Sequence, residues 1–160
     1  MIRWLLLGLL LWVMPAGAEP VPKALWVKAK QGWVHPLGVW LKPPARVNVS
    51  CEEDSLHVES DEYLVQLFAY ATEAEALAMQ DSTRDASERT FSGLKFGPVQ
   101  EFEKEGGVKA FLQEGSADTV GFLLVRLKHG RSHVLLFSVM KSKKAQEATL
   151  AIMASLKYPK

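Results

Sequence analysis

The chain has 160 residues, with 19 Lys and Arg against 18 Asp and Glu, a formal net charge of +1 and a single cysteine. This length fits one domain. The balanced charge excludes a general nucleic-acid or membrane-surface binder, and one cysteine excludes an intramolecular disulfide, so a hydrophobic core has to stabilise the fold.

The N-terminus, MIRWLLLGLLLWVMPAGAEP, has the layout of a secretory signal. Arg3 precedes an unbroken apolar run, and small residues follow up to Ala18, which predicts a signal peptide over residues 1–18 cleaved after Ala18. A membrane anchor needs about 20 apolar residues, whereas this run is shorter and is followed by Pro15. We therefore predict a periplasmic or secreted product that is not stably inserted in a membrane after cleavage.

The rest of the chain is predicted to form a lead-in segment, residues 19–31, which is compatible with an edge strand, and a single globular domain, residues 32–160. Prolines exclude a helix from residues 32–44, and alternating apolar and polar residues beyond it predict strands. These strands are predicted at Arg46–Cys51, Ser55–Glu59, Tyr63–Tyr70, Leu94–Glu103, Val108–Glu114, Val120–Lys128 and His133–Met140. A tight hairpin loop is predicted at His129-Gly130.

Two helices are predicted. Thr72 and Glu75 form a capping box that begins a helix ending at about Arg89, and Ser142 caps a second helix that Tyr158-Pro159 ends. The predicted apolar face of the first helix is Ala74, Leu77 and Ala78, and that of the second is Ala145, Ala148, Thr149, Ile152 and Leu156.

The last two strands are apolar on both faces. Leu123 and Val125 point to one side while Phe122 and Leu124 point to the other, and an antiparallel sheet with one solvated face does not have this pattern. Cover is therefore needed on both faces. We predict an α+β fold, a three-layer α/β/α sandwich with a mainly antiparallel sheet of about six strands and a helix on each face.

The order of these segments resembles the PsbP-like, Mog-like superfamily, which includes bacterial envelope proteins of the DcrB type. The resemblance lies in HPLGVWLKPP, TEAEALAMQ and the closing HVLLFSVMKSKKAQEATLAIMASLKYP, and it covers about residues 33–158. It implies the fold, and it implies a mostly non-enzymatic protein that acts through its surface, since members include photosystem assembly subunits, a GTPase-binding protein and secretion chaperones. It assigns no functional residue.

Glu101, Glu103 and Glu105 alternate along one predicted strand, which places them on one face. Such a row is a candidate calcium site, and a solvated strand face is the competing interpretation. The four histidines lack the spacing of a zinc site. No catalytic residue and no cofactor is predicted.

Two groups of basic residues are candidates for binding a protein partner, although exposed lysine is also the ordinary state of a soluble surface. One group crowns the last hairpin and the other surrounds the start of the last helix, at opposite ends of one strand. The residues are Lys128, His129 and Arg131 in the first group, and Lys141, Lys143 and Lys144 in the second.

Cys51 alternates with Val47 and Val49 along one predicted strand. A small buried strand residue and a reactive or dimer-forming thiol are both compatible with this position.

The sequence predicts an exported, non-catalytic interaction or accessory module of the cell envelope, which binds a protein partner and no nucleic acid. The alternative is a small-ligand or calcium-binding carrier, or a small enzyme with an unrecognised site. In that alternative Trp33, Trp40 and Tyr63 line a cleft between the sheet and the first helix.

Overall fold

The computed structural model describes residues 25–160, so the predicted signal peptide and its cleavage site at Ala18 lie outside the described residues. The described chain has an α+β fold in which every strand pairing is antiparallel, and the predicted α+β class is confirmed. Over residues 25–160, neither helix combines the length and the apolar character that a bilayer crossing requires.

The strands form two sheets. The small sheet contains, in order, β1 (Val27–Ala29), β2 (Gly32–Val34) and β3 (Trp40–Leu41). The large sheet contains β4 (Asn48–Glu52), β5 (Ser55–Glu59), β6 (Tyr63–Tyr70), β7 (Lys95–Phe96), β8 (Gln100–Lys104), β9 (Val108–Ala117), β10 (Val120–His129) and β11 (Ser132–Met140). The helices are α1 (Glu73–Thr90) and α2 (Lys143–Ser155).

The strands of the large sheet follow the order β4-β5-β6-β11-β10-β9-β7, and β8 also pairs with β9. The sheet has eight strands instead of about six. One reason is that the single strand predicted at Leu94–Glu103 is two strands, β7 and β8. Gly97-Pro98 separates them, and proline interrupts a strand because it has no N–H to donate.

The predicted lead-in segment is part of the packed structure as far as it is described. Trp26 is buried, and β1 pairs with β2 across Val27 and Val34. The edge strand that the sequence allowed in this segment is therefore formed, as β1.

The large sheet buries apolar side chains on both faces, because successive residues of a strand point to opposite sides. Core A contains Leu56, Val58, Val65, Leu67, Leu123, Val125, Leu127, Val134 and Leu136 together with Ala145, Ile152 and Met153 of α2. Core B consists of Phe68, Leu94, Phe122, Leu124, Leu135, Phe137 and Val139, against which Met79 of α1 and Phe91 pack.

Helix α1 begins as predicted, but its buried face differs from the prediction. The Thr72 hydroxyl accepts from the Glu75 backbone N–H at 3.3 Å and donates to the Glu75 carboxylate at 2.7 Å. The predicted stripe of Ala74, Leu77 and Ala78 is exposed. The buried residues of the helix are Ala76, Gln80, Thr83 and Ser87. The apolar pattern of α1 predicted the wrong buried face, because this helix contacts the sheet largely through polar side chains.

This register of α1 can be tested with two alanines of the same helix. Ala76→Leu is expected to lower the free energy of unfolding by about 1–3 kcal/mol, because Ala76 is fully buried and the added carbons have no space. Ala78→Leu should change it by less than about 0.5 kcal/mol, because Ala78 is exposed. Urea unfolding of the two variants gives the comparison, and a larger loss for Ala78→Leu contradicts the register.

Helix α2 also begins as predicted, with the Ser142 hydroxyl accepting from the Ala145 backbone N–H at 3.1 Å. Its buried residues are Ala145, Thr149, Ile152 and Met153, and Leu156 after its end is also buried. Ala148 is only partly buried, and the prediction missed Met153. At the end of the helix Lys104 Nζ donates to the Met153 carbonyl at 2.9 Å, which ties β8 to α2.

The β10–β11 hairpin defines one end of the large sheet, called here the hairpin end. Its two-residue loop is Gly130-Arg131, one residue later than predicted, because His129 pairs with Ser132. Gly130 has φ +56, a conformation that glycine adopts without a steric penalty. The end of β6 and the start of α1 lie at the same end, since Tyr70 pairs with His133.

Candidate functional site

The three basic candidates at the hairpin end do not form one patch. Lys128 Nζ is 2.8 Å from the Glu73 carboxylate, on the face that α1 covers. His129 lies on the other face, with its ring 5.2 Å from the ring of Tyr158, which packs against core A. Arg131 is exposed in the loop between them. Two of the three side chains, Lys128 and His129, thus already contact other side chains of this protein.

The other basic candidates lie at the opposite end of β11, as predicted. Lys141 Nζ donates to the Asp61 carbonyl at 2.6 Å and is engaged within the chain. Lys143 and Lys144 are exposed in the first turn of α2. These two lysines form an exposed basic surface of modest size.

At the hairpin end, on the face of core B, a row of polar side chains crosses five strands. The pairings place Glu103, Lys109, Lys128, His133 and Tyr70 side by side on one face. Directly paired side chains on one face have Cβ atoms about 5 Å apart. Glu103 and Lys128 of this row are candidates from the sequence, but their alignment was not predicted, because it depends on the strand order.

Arg126 lies next to this row and holds α1 on the sheet. Its guanidinium donates to the Glu73 carboxylate at 3.0 Å and to Gln80 Oε1 at 3.2 Å, and it lies 4.0 Å from the ring centroid of Phe111. The hydrogen bond from Lys128, together with the charges of Lys128 and Arg126, lowers the pKa of Glu73. This cluster stabilises the docking of a helix that contributes few apolar side chains.

His133 is buried at the hairpin end, and the partly buried Tyr70 beside it has a buried hydroxyl. Among the described residues His133 Nδ1 and the Tyr70 hydroxyl have no hydrogen-bond partner. Burial lowers the pKa of His133, which the charge of Glu73 opposes, and burial raises the pKa of Tyr70. Both groups are therefore held in their uncharged forms at neutral pH.

A second polar group on the same face has the composition of a nucleophile and its base. The Ser55 hydroxyl lies 2.7 Å from His57 Nε2, and His57 Nδ1 lies 3.7 Å from the Glu52 carboxylate. Gln66 Nε2 is also 3.2 Å from His57 Nε2. However, Ser55 is only 1% exposed, and its hydroxyl also lies in donating range of the Glu52 carbonyl at 3.1 Å. A substrate carbonyl has no approach to it, so the group is a structural network.

This interpretation predicts that the folded protein does not react with a fluorophosphonate probe, which labels activated serines. The reason is that nucleophilic catalysis needs a serine that the substrate reaches. Labelling is measured on intact protein by mass spectrometry, with Ser55→Ala as the control. Labelling that Ser55→Ala abolishes would contradict the structural role.

The acidic candidates do not converge. Glu101 and Glu103 lie on the exposed β8, and Glu105 lies in the turn after it. Within residues 25–160 no three His, Cys, Asp or Glu side chains come close enough to hold a metal ion. The structure therefore gives no support to a calcium site at these residues.

Cys51 is half-buried against core A. Burial raises the pKa of its thiol, a backbone hydrogen bond with Trp26 lowers it, and the charges of Asp54 and Glu52 raise it further. The thiolate is the reactive form of cysteine, so these surroundings oppose the reactive-thiol interpretation.

The aromatic cleft of the alternative hypothesis is not formed beneath α1. Trp33 and Tyr63 pack against core A, on the face that α2 covers, and the ring of Trp40 lies 5.1 Å from Lys157 Nζ. The prediction placed these side chains between the sheet and the first helix, and this is wrong. Trp33 and Tyr63 complete the packing around core A instead.

Exposed apolar side chains lie mainly at two outer strands. Leu25 and Val27 lie beside and on β1, and Val99 and Phe102 lie beside and on β8. Leu77 of α1 is the fifth exposed large apolar residue in the described chain. Because an outer strand also presents backbone groups, these two strands combine apolar and hydrogen-bonding surface.

Comparison with solved structures identifies the architecture. The solution structure of cyanobacterial PsbP (CyanoP) from Synechocystis sp. PCC 6803 matches with a TM-score of 0.55, covering 92% of this chain and 99% of that chain at 6% sequence identity. The fold is PsbP-like. No protein-family profile and no curated protein sequence matches the chain.

The PsbP-like fold confirms that part of the resemblance drawn from the sequence, while the Mog-like and DcrB relationships stay predictions.

The Ser55–His57 network of this PsbP-like domain was not predicted. Its signal was present in the strand Ser55–Glu59, since Leu56 and Val58 belong to core A and strand alternation sends Ser55 and His57 to the other face.

Proposed function

We propose that this protein is an exported, non-catalytic interaction or accessory module of the cell envelope that binds a protein partner through its surface. The observation that carries the proposal is the position of the exposed apolar side chains. Among the described residues, four of the five large ones are on or beside outer strands, at Leu25, Val27, Val99 and Phe102. Protein partners commonly bind outer strands through backbone pairing with side-chain contacts on either side.

The packing of the large sheet supports this proposal. Core A includes residues of α2, and Met79 of α1 packs against core B; these contacts support a three-layer α/β/α arrangement as part of the proposal. With both faces covered, the sheet offers a partner its outer strands and its two ends. Within residues 25–160, the Ser55–His57 pair has the composition of a nucleophile and its base, and the burial of the Ser55 hydroxyl favours a role other than catalysis.

Export is part of the proposal and rests on the N-terminal sequence. We expect the mature protein to begin at Glu19 and to occur in the periplasm or the medium. N-terminal sequencing of protein recovered from these fractions tests this. Recovery of a chain that begins at Met1 in the cytoplasm would contradict it.

Partner binding is tested by affinity capture from an envelope extract with the mature chain, at several salt concentrations. A partner recovered in a constant ratio to the protein supports the proposal. Failure to recover any partner across these conditions, confirmed by in-cell cross-linking, would overturn it.

A further inference from the structure

We propose that the outer edge of β8 binds an extended, basic segment of a protein partner, which adds a strand to the large sheet. This inference rests on the proposed function, because it names the surface and the chemistry of the partner. The surface is the strand Gln100–Lys104, whose first four residues are all exposed. The partner segment alternates lysine or arginine with an apolar residue.

The large sheet protects its other outer strands in ways that β8 lacks. At β7, Glu88 accepts from the Phe96 backbone N–H at 3.1 Å and from Lys95 Nζ at 3.2 Å, so an acid already occupies that edge. On β4 the three central residues are partly buried, and Trp26 contacts Cys51. Among the described strands β8 pairs with β9 alone. Its outer side is therefore an open edge of the sheet.

Strand alternation divides the side chains of β8 between two chemistries. Glu101 and Glu103 share the face of their paired residues Phe111 and Lys109, whereas Phe102 lies on the other face opposite Ala110. Phe102 is 39% exposed. An added strand would place basic side chains beside the two glutamates and an apolar side chain beside Phe102.

A second copy of this chain does not fit the same edge. Two antiparallel copies of β8 paired about Phe102 would place Glu101 of one beside Glu103 of the other, twice, on one face. Like charges directly opposite each other destabilise a strand pair. The acids thus oppose self-association and favour a basic partner.

The strand is held ready for pairing. Five residues of β8 pair with β9, and Lys104 donates to the last turn of α2 through the Met153 carbonyl. Burial lowers the pKa of Lys104. Because the edge is fixed before binding, the partner segment alone loses conformational freedom.

The direct test uses a capped heptapeptide, Thr-Lys-Val-Lys-Val-Lys-Thr, titrated into the ¹⁵N-labelled mature protein. We expect chemical-shift changes and slower amide exchange centred on Gln100–Lys104. A peptide with both valines replaced by proline keeps the charge but cannot form a strand, and a peptide with glutamate in place of lysine reverses the charge. Equal binding of the proline peptide, or shifts centred elsewhere, would overturn the proposal.

Protein variants provide the matched control. Glu101→Lys with Glu103→Lys is expected to weaken peptide binding about tenfold, since two opposite-charge pairs become like-charge pairs. The control, Glu62→Lys with Glu147→Lys, makes the same change of net charge at exposed positions elsewhere and should leave affinity nearly unchanged. Similar losses in both double variants would contradict a specific edge site and indicate general charge attraction.

Envelope capture with the same variants separates this proposal from the proposed function. If wild type and the Glu101→Lys, Glu103→Lys variant recover one partner equally well, the edge proposal is wrong and the interaction module stands. If the peptide pairs with β8 but no partner is recovered or cross-linked, the edge is supported and the proposed function is wrong.

Discussion

Phe122→Ala is expected to lower the free energy of unfolding by about 3–5 kcal/mol, the loss typical of a fully buried aromatic side chain. Phe122 is 1% exposed and lies at the centre of core B. Its ring centroid lies 4.8 Å from that of Phe91, 6.3 Å from Phe137 and 6.4 Å from Phe96. Alanine would leave a cavity that strands on one side and α1 on the other cannot fill by a small shift. Urea or thermal unfolding measures the effect.

Phe102→Ala is the matched control, since it removes the same side chain from the exposed β8. The resulting loss in the free energy of unfolding should stay below about 1 kcal/mol, because an exposed side chain loses little hydrophobic burial and leaves little cavity when it is removed. Comparable losses at the two positions would mean that core B is not a packed core under α1, and the assignment of the two faces would then fail.

Acidification over the range from about pH 6.5 down to the lowered pKa values of two histidines is expected to destabilise the fold. Burial lowers the pKa of His57 and of His133 below the value of about 6.5 in an unfolded chain. The folded state therefore favours neutral histidine, and the unfolded state binds more protons. The stabilisation is complete above the unfolded pKa and is lost as the pH falls from about 6.5 through the lowered folded pKa.

The slope has an upper limit of about 1.4 kcal/mol per pH unit for each histidine. His57→Gln and His133→Gln should each remove part of it, and the double variant should unfold with a nearly flat profile over this range. Glu73 and Glu88, whose pKa values are lowered, contribute to acid unfolding below this range. A double variant that keeps the full wild-type slope would show that these histidines do not cause the pH dependence of stability.

Much of the fold was predictable because its signals are local. The caps Thr72 and Ser142 and the strands Ser55–Glu59 and Tyr63–Tyr70 were each predicted correctly, since hydroxyl capping and apolar alternation are written in neighbouring residues. The buried face of α1 was not, because Gln80 is inside and Leu77 outside. An apolar pattern misleads wherever the sheet supplies polar partners for a helix.

The candidate surface residues also show that local sequence patterns do not predict long-range contacts. Lys128 and Arg131 were predicted to act together because they are close in sequence, but Lys128 bonds to Glu73, more than fifty residues away. Glu101 and Glu103 were correctly placed on one strand face, and only the strand order revealed that this strand is an open edge. Long-range pairing decides such questions, and a single sequence does not encode it in adjacent residues.

The polar side chains that dock α1 on the sheet also limit the positions that the helix can take. A helix that docks through leucines alone can slide by a turn and bury a similar area. Gln80 and Glu73 instead bond to Arg126 in fixed directions, so a slipped helix would leave a charged guanidinium unpaired beneath it. The cluster thus selects a single position for the helix and discriminates against competing compact states.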